Sequence, residues 1–110
     1  MLSAKVQTKN PGSQLMEIPL DMLRTICKEC SVRKLSIVGS IARGDEGPES
    51  DVDLLVEFER QGSPLRQYMG TKERFEKLFH RKVDLIERSA MRNKRFEASV
   101  LQDEKVIYEA

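Results

Sequence analysis

The chain has 110 residues, 39% of them hydrophobic and 34% charged, and its 19 Lys and Arg against 18 Asp and Glu leave a formal charge of +1. That is one domain with one modest core, too apolar for a disordered tail and too charged for a membrane protein. No apolar run exceeds three residues, which excludes a transmembrane helix, and the balanced charge argues against a strongly basic nucleic-acid module. The first fifteen residues carry Lys5, Lys9, Asn10 and Pro11 in place of an apolar stretch, so no signal peptide is visible.

Residues 1–14 are mixed and polar and end in Asn10-Pro11-Gly12-Ser13, which reads as a turn or a loosely packed arm preceding one domain over 15–110. Pro19 suits the first turn of a helix, and Leu20, Leu23, Ile26 and Cys27 give the three-four spacing of a packed face ending near Ser31. Lys34 to Val38 reads as a short strand that stops at Gly39-Ser40. A turn-rich stretch from Ala42 to Ser50 leads to a clearer strand. There Val52, Leu54, Val56 and Phe58 point one way, and Asp51, Asp53, Leu55 and Glu57 the other. Gly62-Ser63-Pro64 opens a second helix with the stripe Leu65, Tyr68, Met69, Lys72, Phe75, Leu78 and Phe79. A third strand is expected over Arg81 to Ile86 and a helix over 89–98, with Val106-Ile107-Tyr108 closing as a short strand or packed coil. The order predicts a small α/β layer, a mixed sheet with helices packed on one face.

Cys27 and Cys30 form a lone C-x-x-C. With His80 the only histidine, the four ligands of a structural zinc site are not in reach, and two reduced thiols are expected. Three carboxylates break the ordinary pattern. Asp51, Asp53 and Asp84 occupy strand positions where an aliphatic residue is cheaper, and unpaired carboxylates near a core lose several kcal/mol of hydration. Two residues apart in a strand, Asp51 and Asp53 share a face with Cα atoms about 6.6 Å apart. Such a pair can converge on divalent cations, and Asp84 on a neighbouring strand can supply a third ligand, with Mg²⁺ the expected ion. Just upstream, Gly39-Ser40 follows a strand and precedes Ile41-Ala42-Arg43-Gly44. A glycine at such a junction exposes backbone N–H groups to phosphate, the Ser40 hydroxyl can donate to the same oxygens, and Arg43 can reach a phosphate or a carboxylate. A phosphate cradle beside an acidic metal patch suits a nucleoside triphosphate. The P-loop alternative fails for want of a G-K-[S/T]. The basic run Arg88, Arg92, Lys94 and Arg95 is expected to be the solvated face of the last helix.

Gly39-Ser40-Ile41-Ala42-Arg43-Gly44 followed by Ser50-Asp51-Val52-Asp53-Leu54-Leu55-Val56, with Lys82-Val83-Asp84-Leu85-Ile86 downstream, resembles the signature of the DNA polymerase beta-like nucleotidyltransferases. It is most similar to their minimal members, small antitoxins encoded beside a helical HEPN-domain toxin. The resemblance implies a polymerase beta-like palm fold from about residue 20 onward. It makes Gly39 and Ser40 the triphosphate-binding pair, with Arg43 as phosphate contact or loop support. Asp51, Asp53 and Asp84 become the catalytic metal ligands, Asp84 nearest the attacking group. It implies Mg²⁺-dependent transfer of AMP from ATP to a hydroxyl on a partner protein, in the cytoplasm. Two alternatives stay open: a binding module that neutralises its partner stoichiometrically, and a transferase acting on a small molecule. The composition leaves a homodimer open and offers few aromatic residues on which nucleic-acid bases could stack.

Overall fold

The structure is a computed structural model and describes residues 3–6, 16–39, 42, 51–91 and 93–110. Strand β1 is Ser3–Val6, strand β2 Met16–Pro19 and helix α1 Leu20–Glu29. Strand β3, Val32–Val38, and strand β4, Val52–Phe58, are followed by helix α2, Pro64–Phe79, and strand β5, Val83–Glu87. A 3-10 turn over Arg88–Ala90 leads to helix α3, Lys94–Gln102, and strand β6, Lys105–Glu109. β1 and β2 form an antiparallel pair of their own, and the other four strands form one mixed sheet in the order β5-β4-β3-β6. β3 runs antiparallel to β4 and β6, while β4 and β5 are parallel, with α2 as the crossover a parallel pair requires.

Alternation in the strands decides where the core lies. Val52, Leu54 and Val56 of β4 are sealed from solvent with Leu35 and Ile37 of β3 and Val83 and Leu85 of β5. α1 covers this face with Leu23, Ile26 and Cys27, and α2 covers it with Phe75. Each such side chain contributes about 1.5–3 kcal/mol by leaving water. α2 starts where Ser63-Pro64 suggests: the Ser63 hydroxyl accepts the Arg66 N–H at 3.4 Å, and Pro64 takes the first helical position.

Several expectations change. Ser3–Val6, expected to belong to a loose arm, pairs residue by residue with Met16–Pro19. Residues 7–15 lie outside the described residues. Pro19 is the residue that caps α1 rather than a member of its first turn. The stripe expected on α2 is too wide. Its buried centre is Phe75, with Thr71 buried and Tyr68, Leu78 and Phe79 packed against the core, whereas Leu65 and Met69 are 69% and 53% exposed. At 100° per residue those two fall about 80° and 120° from Phe75. The helix expected over 89–98 is divided into the 3-10 turn and α3, while Val106-Ile107-Tyr108 takes the first of its two expected forms, a strand of the sheet.

Candidate functional site

The face of the sheet turned away from α1 and α2 carries the alternate residues of β4: Asp53, Leu55 and Glu57. Cross-strand register sets Asp53 beside Val38 of β3 on one side and Asp84 of β5 on the other. Asp51 lies immediately before β4, and the Val52 N–H donates to the Lys82 carbonyl at 2.9 Å, which extends the β4–β5 ladder one step past the strand ends. Asp51 and Asp84 are exposed and Asp53 is half-buried. The hydration loss that the strand positions suggest is therefore smaller than it would be in a core, because these carboxylates point away from it. The face is not bare elsewhere: Ser36, Val38 and Leu55 are all buried.

Gly39 ends β3 in the left-handed region, at φ 72°. A Cβ there would lie 2.9 Å from Cγ and 3.0 Å from Cβ of Asp53, and closer still to Oδ2. Only glycine both adopts this φ without strain and lets the Asp53 carboxylate pack against the main chain. The end of β3 and the carboxylate of β4 thus meet directly. Ser40 and Arg43, expected to complete the phosphate cradle, lie outside the described residues.

Asp84 is held by its neighbours. β5 is an edge strand of the sheet, so alternate N–H and C=O groups face outward. α2 takes two of them: a Glu76 carboxylate oxygen accepts the Val83 N–H at 3.1 Å, and the Tyr68 hydroxyl donates to the Leu85 carbonyl at 2.6 Å. Asp84 is thereby fixed on both flanks. Burial, then the negative charges of Asp84 and Glu87, push the Tyr68 phenol above its ordinary pKa. The sequence assigned Tyr68 to a hydrophobic stripe and gave Glu76 no role. No local pattern distinguishes a residue that caps a strand edge from one that merely lies along a helix.

Asp51, Asp53 and Asp84 offer only carboxylate oxygens, the hard donor set that suits Mg²⁺ and not zinc. The register places two of them side by side, and the third stands one step beyond the strand. As their side chains stand, they do not converge: among the described residues no group of three His, Cys, Asp or Glu side chains could hold a metal ion.

Further along the same face, Arg88 bridges Glu57, at 3.7 Å, and Glu104. Glu104 also accepts the buried Ser36 hydroxyl at 2.5 Å. Arg88 is thus an internal bridge between β4 and the approach to β6, not part of a solvated helical face; Arg92 lies outside the described residues. Cys27 is buried and Cys30 caps the end of α1, both as free thiols, and burial followed by the nearby Cys30 pushes the Cys27 thiol up to about 12.

A family model described as a nucleotidyltransferase domain matches residues 20–108. A candidate protein adenylyltransferase of Methanocaldococcus jannaschii is 32% identical over 92 residues, covering 83% of this chain and 92% of that one. Among solved structures, a crystal structure of a toxin–antitoxin with AMP-PNP superposes with a TM-score of 0.67 at 13% identity, over 84% of this chain and 75% of that one. A tri-AMPylated HEPN toxin of Shewanella oneidensis in complex with its MNT antitoxin gives a TM-score of 0.59 at 11% identity, over 83% of this chain and 70% of that one. At such identities the two structures show a shared fold.

Proposed function

This chain belongs to the nucleotidyltransferase domain family, and from that premise we propose that it transfers AMP from ATP to a hydroxyl on a partner protein. The partner proposed is a HEPN-type toxin, which would make this chain the antitoxin of the pair, working in the cytoplasm. The observation that carries the reading is the junction of Gly39 with Asp53, and of Asp53 with Asp84, at adjoining positions of three strands. It brings the glycine that would begin a phosphate-binding turn against carboxylates suited to a divalent cation. The relative named as a candidate protein adenylyltransferase supports protein as the acceptor. The AMP-PNP complex and the AMPylated HEPN toxin among the fold neighbours support the donor and the partner.

In this reading Gly39 and Ser40 hold the outer phosphates through main-chain N–H groups and the serine hydroxyl, and Arg43 contacts a phosphate or braces the loop. Asp51, Asp53 and Asp84 would hold Mg²⁺, which when bound neutralises phosphate charge and orients the α-phosphorus. The acceptor hydroxyl gives its proton to an Asp84 oxygen, its oxygen bonds to the α-phosphorus, and the bond from that phosphorus to the β-phosphate oxygen breaks. Pyrophosphate leaves and the acceptor carries AMP. Side-chain rotation would bring the carboxylates onto such an ion, since backbone register already sets Asp53 and Asp84 side by side.

Nucleoside triphosphates labelled at the α-phosphate, tried one base at a time with Mg²⁺ in lysate of the source organism, test this directly. The expected result is one labelled protein band, from ATP, absent with the Asp51→Asn/Asp53→Asn double variant. A stable partner recovered from that lysate and never labelled by any base would overturn it in favour of stoichiometric neutralisation.

A further inference from the structure

The row of site residues has two ends. Gly39 marks one, just past the end of β3, where the reading above puts the outer phosphates. β5 marks the other, two strands away, because the sheet order sets β4 between β3 and β5. Whatever attacks the α-phosphorus from the side opposite the departing pyrophosphate approaches over β5. At that end stands Lys82. It precedes Asp84 by two residues, and its carbonyl accepts the Val52 N–H at 2.9 Å, so the strand alternation reaches it and places it on the Asp84 face, next to Asp51. It is exposed and makes no ion pair with a described residue, although two carboxylates stand on adjoining positions of the ladder. A flexible stem carrying three donors, set beside Asp84 and left uncommitted, suits a group that arrives with the substrate.

We propose that Lys82 contacts the acceptor: its Nζ–H donates to the acceptor hydroxyl oxygen and favours that oxygen as it gains charge toward the α-phosphorus. This deepens the transferase reading above and rests on it. The proton still passes from the hydroxyl to Asp84, and Lys82 keeps its own three protons throughout. The acceptor group in this inference is a protein hydroxyl, whose oxygen takes up negative charge as its proton leaves.

The test compares wild type with Lys82→Met and Lys82→Arg on two readouts, after circular dichroism shows all three folded. The first is equilibrium binding of a non-hydrolysable ATP analogue with Mg²⁺ and no acceptor. The second is the initial rate of transfer from α-labelled ATP into the protein band that wild type labels. Lys82→Met is expected to bind the analogue within about twofold of wild type and to lose about tenfold or more in kcat/KM for the acceptor, with Lys82→Arg recovering most of it. A loss of analogue binding in proportion to the loss of transfer would overturn the proposal by placing Lys82 on the donor phosphates. Unchanged transfer in Lys82→Met would overturn it outright. Wild type labelling no band is a different result: it removes the transferase reading and this inference with it.

Discussion

On the side of the sheet that faces α1 and α2, Val52, Leu54 and Val56 of β4 are sealed among aliphatic neighbours. On the other side the alternate residues of the same strand, Asp53, Leu55 and Glu57, meet a carboxylate, a buried serine and an arginine bridge. One seven-residue strand therefore obeys two sets of rules. The inner face follows the hydrophobic effect: close packing, no charge, loss of stability when volume is removed. The outer face sets two carboxylates, Asp53 and Asp84, at paired positions of neighbouring strands, where like charges repel. The lesson is a separation of duties by side-chain parity, and it can be broken from either side.

The sharpest break is on the outer face. Replacing Asp51 and Asp53 together by Asn is expected to lower transfer by about a thousandfold, about 4 kcal/mol of transition-state stabilisation. Thermal stability should change little, because Asn keeps the shape of Asp and both positions lie outside the packed core. Labelled transfer and a melting curve on the same preparation check both halves, and a large fall in melting temperature would show that the carboxylates also support the fold. The converse change, Phe75→Ala, empties a fully buried position and is expected to remove about 3–5 kcal/mol of stability in urea titration. Transfer per folded molecule should be unaltered. Gly39→Ala touches both faces of the comparison at once. It strains a left-handed residue and drives a Cβ into Asp53, at about 1–3 kcal/mol of stability, with transfer falling further than the stability loss explains. Tyr68→Phe is the mildest change, about 1 kcal/mol from one hydrogen bond. It is expected to lower kcat while leaving nucleotide affinity alone, because the freed Leu85 carbonyl lies next to Asp84.

A pH experiment isolates the inner face. The Cys27 thiol, pushed up to about 12 in the fold from an ordinary value of 9.0, keeps its proton in the native state after the unfolded chain has lost it. The native state then binds more protons than the unfolded one, so stability falls as pH rises from about 9 toward 12. Below pH 9 Cys27 adds no slope. Cys27→Ala should lose stability at neutral pH by leaving a small void, yet show a shallower decline above pH 9. The difference between the two urea-midpoint curves measures the burial of that one thiol.

The sequence made the two-faced strand legible because β4 alternates from Val52 to Phe58 with Leu55 the one apolar residue on the outer face, and a two-residue period needs no tertiary information to read. The same holds for α2, whose Ser63-Pro64 start is a local signal. The candidate site was legible in its chemical types: Gly39, Asp51, Asp53 and Asp84 stand out because glycine and aspartate are uncommon in and beside strands. What the sequence did not reveal depends on which strand lies at an edge. Tyr68 and Glu76 act on β5 only because β5 has a free side, and Arg88 became a bridge only because Glu57 and Glu104 lie on opposite sides of it. The pairing of Ser3–Val6 was hidden for a similar reason, since its partner strand supplies the order.

The clamp that α2 places on β5 has a consequence for behaviour at high concentration. An edge strand with a free ladder is a template for strands of other molecules, and such pairing begins aggregates and domain-swapped forms. Here an incoming strand would find the Val83 donor occupied by Glu76 and the Leu85 acceptor occupied by Tyr68. It would have to displace a carboxylate and a phenol before forming its first two bonds. The side chains that steady Asp84 therefore also act as a guard against fibril growth along that side of the sheet.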